Sequence, residues 1–165
     1  MLTGIKLQCY VQILFDCLVL IVTLALFKEE IVFYQYDSTK TFHVPKPFPR
    51  ALTPIFQAGD AQFPDTAFSV SMVEWEEGGF TDPHIHEKSM EAMYCIAGEG
   101  TAQIGDTIYE IKPDTMVVAA AGVLHQIKNG GKEKLRILCI YSPAITTTVF
   151  LARAVEALKK AESKS

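Results

Sequence analysis

Three of the four histidines of this 165-residue chain, His84, His86 and His125, sit in one strand-rich region that also holds Glu91. His84 and His86 are two residues apart, a spacing that on a β-strand turns both rings to the same face. Glu91 follows five residues after His86, beyond a break suited to a turn (Glu87 to Met90), where it can open a neighbouring antiparallel strand and bring a carboxylate beside the rings. His125 lies in a separate strand, with Gly122 just before it. Imidazole and carboxylate together suit a divalent transition metal: Zn, Mn, Fe, Ni or Cu. Four protein ligands on one side of an ion leave one or two positions for water or substrate. A lone histidine on a strand is ordinarily a core or surface residue, but a His-x-His pair with a glutamate at this distance is less easily chance. The fourth histidine, His43, sits in a proline-rich arm and reads as surface or packing.

The elements that would position these residues are short strands. From Ala67 to Ser142 the apolar pattern has period two or runs in short blocks, with turn residues between them. Phe68 to Trp75 alternates and ends at Glu76-Glu77-Gly78-Gly79. Ala92 to Ala97 stops at Gly98-Glu99-Gly100, and Thr101 to Ile104 and Thr107 to Ile111 flank the tight hairpin signal Gly105-Asp106. Met116 to Ala121, His125 to Lys128 and Leu135 to Tyr141 complete the set. Strands so closely spaced, with no helices between them, predict an all-β antiparallel sandwich or barrel.

Two segments carry a family resemblance. Gly78-(five)-His84-Ile85-His86-(four)-Glu91-(six)-Gly98 resembles the first cupin motif in full spacing, and Gly122-(two)-His125-(three)-Asn129 resembles the second. In the second, the family's opening glycine falls on Asp114 and its proline on Ala120, which bears on local loop geometry and leaves the ligands intact. The resemblance covers residues 66 to 142. It implies a single jelly-roll (cupin) barrel of six to eight strands, a metal held by His84, His86, Glu91 and His125 near its mouth or centre, and a homodimer. Pairing would also protect open edge strands.

Parity gives an expected interior. With Glu91 inward, Met93, Cys95 and Ala97 follow and Tyr94 faces away; with His125 inward, Ile127 follows. The last strand offers Cys139 with Tyr141, or Leu138 with Ile140, and Phe68, Val70 and Met72 form a candidate face near the site. The expected pocket is mostly apolar, with Arg136 its one basic candidate and that a surface one. It suits a small organic ligand better than a sugar phosphate. Trp75 and Tyr94 read as packing or oligomer contacts. No catalytic residue is assigned; Tyr141, Tyr109 and Glu74 are polar candidates in or near strands. Cys95 and Cys139 read as free thiols of a reducing compartment.

Outside the barrel (67–143), three segments are expected. In 1–28, the run Cys9 to Phe27 is apolar but for Gln12 and Asp16 and is long enough for one bilayer crossing. It reads as an anchor, a signal peptide or a miscalled start, and Asp16 at the bilayer centre would cost about 2.5–3.5 kcal/mol against the first. Residues 29–66 form an extended arm, with five of the eight prolines between 37 and 66. In 144–165, a cap at Thr146 to Thr148 precedes an amphipathic helix with Phe150, Leu151, Ala154, Val155 and Leu158 on one stripe.

The 49% hydrophobic and 21% charged content excludes disorder as a description of the whole. A net charge of −4 with no basic cluster gives no case for nucleic acid, and no helix-turn-helix segment argues for a transcription factor. Four cysteines without a CxxC exclude a disulfide scaffold and a zinc knot. Two readings remain: a metal-dependent enzyme of dioxygenase, isomerase or lyase type acting on a small organic molecule, and a non-catalytic module that binds or senses one. The barrel is expected in the cytoplasm, membrane-anchored if residues 9–27 span a bilayer.

Overall fold

The computed structural model describes residues 33–59 and 66–146, with 148, 149, 152, 155 and 159 beyond them. The chain divides after Phe33, and the architecture concerns the second unit, Tyr34–Ser165. After a single 3-10 turn at Ser38–Lys40, its strands are β1 (Phe42–Val44), β2 (Arg50–Phe56), β3 (Ser69–Trp75), β4 (Met90–Ala97), β5 (Gly100–Ile104), β6 (Thr107–Ile111), β7 (Met116–Ala119), β8 (His125–Asn129) and β9 (Leu135–Ser142). They form a six-stranded sheet in the order β1-β2-β3-β9-β4-β7 and a three-stranded sheet in the order β6-β5-β8. Every pairing is antiparallel.

The period-two pattern reports which face is buried. Along β9, Leu135, Ile137, Cys139 and Tyr141 are buried and alternate with half-exposed neighbours, which decides the last strand in favour of Cys139 and Tyr141. On β4, Glu91, Met93 and Cys95 point in as expected; the parity fails at Ala97 because the register against β9 shifts between Cys95 and Ala97. On β3 the expected face is corrected. Ser69, Ser71, Val73 and Trp75 pair with the buried residues of β9, whereas Phe68 is exposed and Val70 half-buried. Met72, on the opposite parity from Val73, is nevertheless buried.

The proline-rich stretch is extended, as its composition requires, and supplies β1 at the sheet edge and β2 inside it. Pro54 is tolerated within β2 because it lies where the register against β3 shifts. Gly105 and Asp106 make the expected two-residue hairpin between β5 and β6. Asp114 takes the left-handed backbone (φ 68°) that a glycine would adopt most easily, and its carboxylate accepts a 2.7 Å hydrogen bond from the Tyr94 hydroxyl.

The segment expected to cross a membrane lies outside the described residues, and among those residues no helix is long and apolar enough to do so. The expected C-terminal helix also falls mainly outside them. No α-helix is among the described elements, and the isolated positions 148, 149, 152, 155 and 159, although helical in backbone, are too few to define one.

Candidate metal centre

The sequence places His84 and His86 on a strand, but the structure holds them in the connection between β3 and β4. What aligns them is that this connection runs antiparallel along β8, the free edge of the smaller sheet. Phe80 bridges Lys128 and His84 bridges His125, with backbone hydrogen bonds exchanged in both directions between the two histidines at 3.0 and 2.8 Å. Thr81 tightens the same seam, its hydroxyl accepting from the Ile127 amide at 2.9 Å. His86 is fixed from the other side, its carbonyl accepting from the Gly122 amide at 2.9 Å. Glu91 stands one residue into β4, directly opposite Tyr141 on β9 and Ala119 on β7.

These elements bring His84, His86, Glu91 and His125 together, with one ligand-type atom from each within 4.8 Å of all the others. The three imidazole centroids lie 4.1 to 5.3 Å apart, and His86, Glu91 and His125 are buried. Backbone carbonyls orient two of the rings. Nδ1 of His84 donates to the Asp82 carbonyl at 2.8 Å, and Nδ1 of His125 to the Val123 carbonyl at 2.9 Å. A carbonyl only accepts, so both Nδ1 atoms carry the hydrogen and Nε2 of a neutral ring presents a lone pair.

For His125 that lone pair faces Oε2 of Glu91 at 2.9 Å, and the same oxygen lies 3.0 Å from Nε2 of His86. Two acceptors at that distance repel unless a positive charge sits with them, either a proton that makes the ring an imidazolium or a metal ion that both atoms ligate. The donor set, its burial and the oriented rings therefore fit a first-row divalent cation. Burial works to raise the Glu91 pKa, but hydrogen bonds from His125 and His86, with their charges, outweigh it and hold the carboxyl well below the usual range. Burial pushes Cys139 and Tyr141 the other way, well above their ordinary ranges. Glu91 reinforces both shifts, by its charge and by a hydrogen bond to each side chain, so thiol and phenol keep their protons.

The cluster opens on a cavity of about 40 Å³. A water needs about 10–15 Å³ on this scale, so the space takes about three water-sized groups. Its walls include Val73, Met93, Cys139 and Tyr141, mostly apolar as expected. Tyr141 packs edge-on to the His86 ring at 5.2 Å. The other two polar candidates are elsewhere: Tyr109 is exposed, and Glu74 accepts from Arg136 at 2.7 Å and from Tyr36. Arg136 is on that outer face, as its parity implies.

One cavity residue escaped the sequence reading, and another was read only as packing or an oligomer contact. Trp75 does pack in the core, at 1% exposed, and also walls the cavity. Arg50, from the proline-rich stretch, also lines it, so Arg136 is not the basic residue to consider. The signal was present in Arg50-Ala51-Leu52, whose first and third residues share a strand face, but the prolines around it masked the strand. Asn129, which closes the second motif, does structural work. Buried, it donates to the Trp75 and Glu133 carbonyls at 3.0 and 2.9 Å and accepts from the Gly131 amide at 3.0 Å.

The sequence profile of the cupin domain matches residues 71–141. L-ectoine synthase of Bordetella avium is 37% identical over 87 residues, covering 50% of this chain and 65% of that protein. L-ectoine synthase of Oceanobacillus iheyensis is 32% identical over 65 residues, covering 38% and 49%. The matches thus span between about half and two thirds of these relatives' length. A crystal structure of a cupin 2 conserved barrel domain protein from Rhodopseudomonas palustris superposes with a TM-score of 0.56 at 17% identity, over 68% of this chain and 81% of that one. Sequence profile, motif spacing and strand arrangement agree: the barrel of this chain is a cupin domain and belongs to the cupin superfamily.

Proposed function

We propose that the chain is a metal-dependent enzyme built on a jelly-roll cupin barrel, with one divalent transition metal ion held by His84, His86, Glu91 and His125. The observation that carries this reading is the 2.9 Å approach of the Glu91 carboxylate to a His125 nitrogen whose partner nitrogen already holds the hydrogen. A bound ion would supply Lewis acidity, polarising a carbonyl or lowering the pKa of a water. The chain's own residues do the rest. The carbonyls of Asp82 and Val123 fix two imidazole tautomers. The apolar walls exclude bulk water, and Tyr141 holds a proton at Oη beside Glu91, as the acid–base candidate inside the cavity. The substrate is a small organic molecule. Of the dioxygenase, isomerase and lyase types, the relatives' name, L-ectoine synthase, makes the lyase type the first to assay.

The free, buried thiols of Cys95 and Cys139 favour a reducing compartment, so we place the barrel in the cytoplasm. We also propose a homodimer. The small cavity favours one second reading, a non-catalytic module that orients a minimal ligand at the metal.

Elemental analysis of the full chain, purified without chelator or histidine tag, tests the metal. One Fe, Mn, Zn, Ni or Cu per chain is expected, lost when His84→Ala and His86→Ala are combined. A wild-type protein that holds no metal and takes up none of these ions overturns the reading. Glu91→Gln and His125→Ala then separate the two functions: for an enzyme they abolish turnover, for a binding module only a binding signal.

A further inference from the structure

A basic residue and an indole both line the cavity that holds the histidine cluster. Arg50 opens β2 with its side chain 8% exposed, and Trp75 closes β3 with 1% exposed. The β2–β3 register pairs Ala51 with Glu74 and Leu52 with Val73. One rung further, the same register brings Arg50 level with Trp75, on the face that Leu52 and Val73 present to the core. Both residues border the cavity that holds the histidine cluster. The Trp75 Nε1–H is buried and makes no hydrogen bond among the described residues. A buried N–H without an acceptor is costly, and natural structures rarely leave one unmet. Arg50 donates through Nη1 to the Phe48 carbonyl at 3.1 Å, which braces the guanidinium from behind. Its Nη2 is 3.5 Å from Asp82 Oδ1, at the outer limit of a hydrogen bond.

We propose that Arg50 and Trp75 form the receptor for a carboxylate, so that the molecule this site takes is a small carboxylic acid with its reacting group at the metal. The proposal rests on the metal reading for the charge of the site. A divalent ion with three neutral imidazoles and the Glu91 carboxylate has a net charge of +1, and the Arg50–Asp82 pair adds none, so a monoanion neutralises the cavity. Guanidinium presents a planar fork of donors that matches a carboxylate, and the indole adds a single donor beside it. Size agrees: the cavity of about 40 Å³ takes about three water-sized groups, the bulk of one carboxylate.

The chain has one tryptophan, so its fluorescence reports on this wall alone. Titrating the full-length protein, metal-loaded and metal-stripped, with acetate, pyruvate and oxalate against acetamide and inorganic phosphate tests the proposal. At least one carboxylate should give a saturable change that acetamide, the neutral isostere, does not. Arg50→Gln should raise the dissociation constant about tenfold or more. Arg50→Lys, which keeps the charge and loses the fork, should fall between. Asp82→Asn removes a competing carboxylate while leaving the backbone carbonyl that orients His84, and should tighten binding severalfold. Saturation by acetamide, stronger binding of phosphate, no saturable response to any carboxylate, or an Arg50→Gln protein of wild-type affinity overturns the proposal. Metal content measured on the same samples keeps the two readings apart. Arg50-dependent carboxylate binding without metal uptake would sink the metal reading, and with it the placement of the reacting group, while the Arg50 receptor stands. One ion per chain with Arg50-independent binding would sink this proposal alone.

Discussion

Glu91 is the residue on which the site turns, because its carboxylate is approached by two histidines and shares the cavity wall with Cys139 and Tyr141, whose pKa values its charge raises. In the metal-stripped protein this makes alkaline stability a test of the geometry. Burial raises the Cys139 and Tyr141 pKa values well above those of the unfolded chain, about 8.5 and 10. Above those values the unfolded state releases protons that the folded state keeps, so their stabilising contribution is complete below about pH 8.5 and is lost as pH rises. Each group adds a slope of up to about 1.4 kcal/mol per pH unit. Denaturant unfolding at pH 8, 9 and 10 should therefore show falling stability, with Cys139→Ser removing the part that begins near pH 8.5 and Tyr141→Phe the part near 10. Slopes indifferent to both substitutions would mean that neither group is buried as a neutral acid beside a carboxylate.

At this scale the four metal-type residues were legible from their chemistry and spacing. Arg50 and Trp75 were not. Their roles depend on a pairing between strands about twenty residues apart, and no local pattern encodes that register.

Among the elements, the connections are as specific as the strands. Gly78 and Gly98 bracket the first motif, and both adopt left-handed backbone, at φ 71° and 78°. Their surroundings differ. A Cβ on Gly78 meets nothing within 4 Å, whereas one on Gly98 would lie 2.6 Å from the Lys134 carbonyl oxygen and 2.7 Å from the Leu135 Cα. Gly78→Ala should cost about 1–2 kcal/mol, the conformational penalty alone. Gly98→Ala adds overpacking against backbone that cannot step aside, for a total of about 3 kcal/mol or more. Chemical denaturation of the two variants checks the difference; equal losses would mean that Gly98 serves conformation and not close approach. Gly100 makes an even closer approach to the Lys128 carbonyl, which is how a strand begins beside the turn that ends β8.

β4, β8 and β9 were readable because one buried face imposes period two. The histidine-bearing connection was misread as a strand because it imitates one: it lies along β8 with bridges at Phe80 and His84 but never forms a continuous ladder. Asp114 shows the converse. A position that departs from the family's glycine keeps the left-handed turn, because a short acidic side chain tolerates it and bonds Tyr94.

At the scale of the whole molecule, the outer face of the larger sheet is, among the described residues, a surface in need of a partner. Residues of β4 and β7 with the opposite parity from Glu91 are apolar. Tyr94 pairs with Met116 and Ala92 with Val118, flanked by Met90 and Ile96. Met90, Ile96, Met116 and Val118 are 40–53% exposed, and β7 is the sheet edge. Monomers seldom leave contiguous apolar patches of this kind in water, and an edge strand with free backbone groups compounds the liability. A second copy packed on the same face would cover both. The full chain should therefore sediment as a dimer at micromolar concentration. Met116→Lys or Val118→Lys should convert it to a monomer with unchanged metal content, because these side chains point away from the cavity on the other face of the sheet. A wild-type monomer, or a dimer untouched by both lysines, would exclude this face as the interface. Metal loss in the lysine variants would instead show that pairing and the site are coupled through β4, the strand that carries Glu91 on one face and the apolar patch on the other.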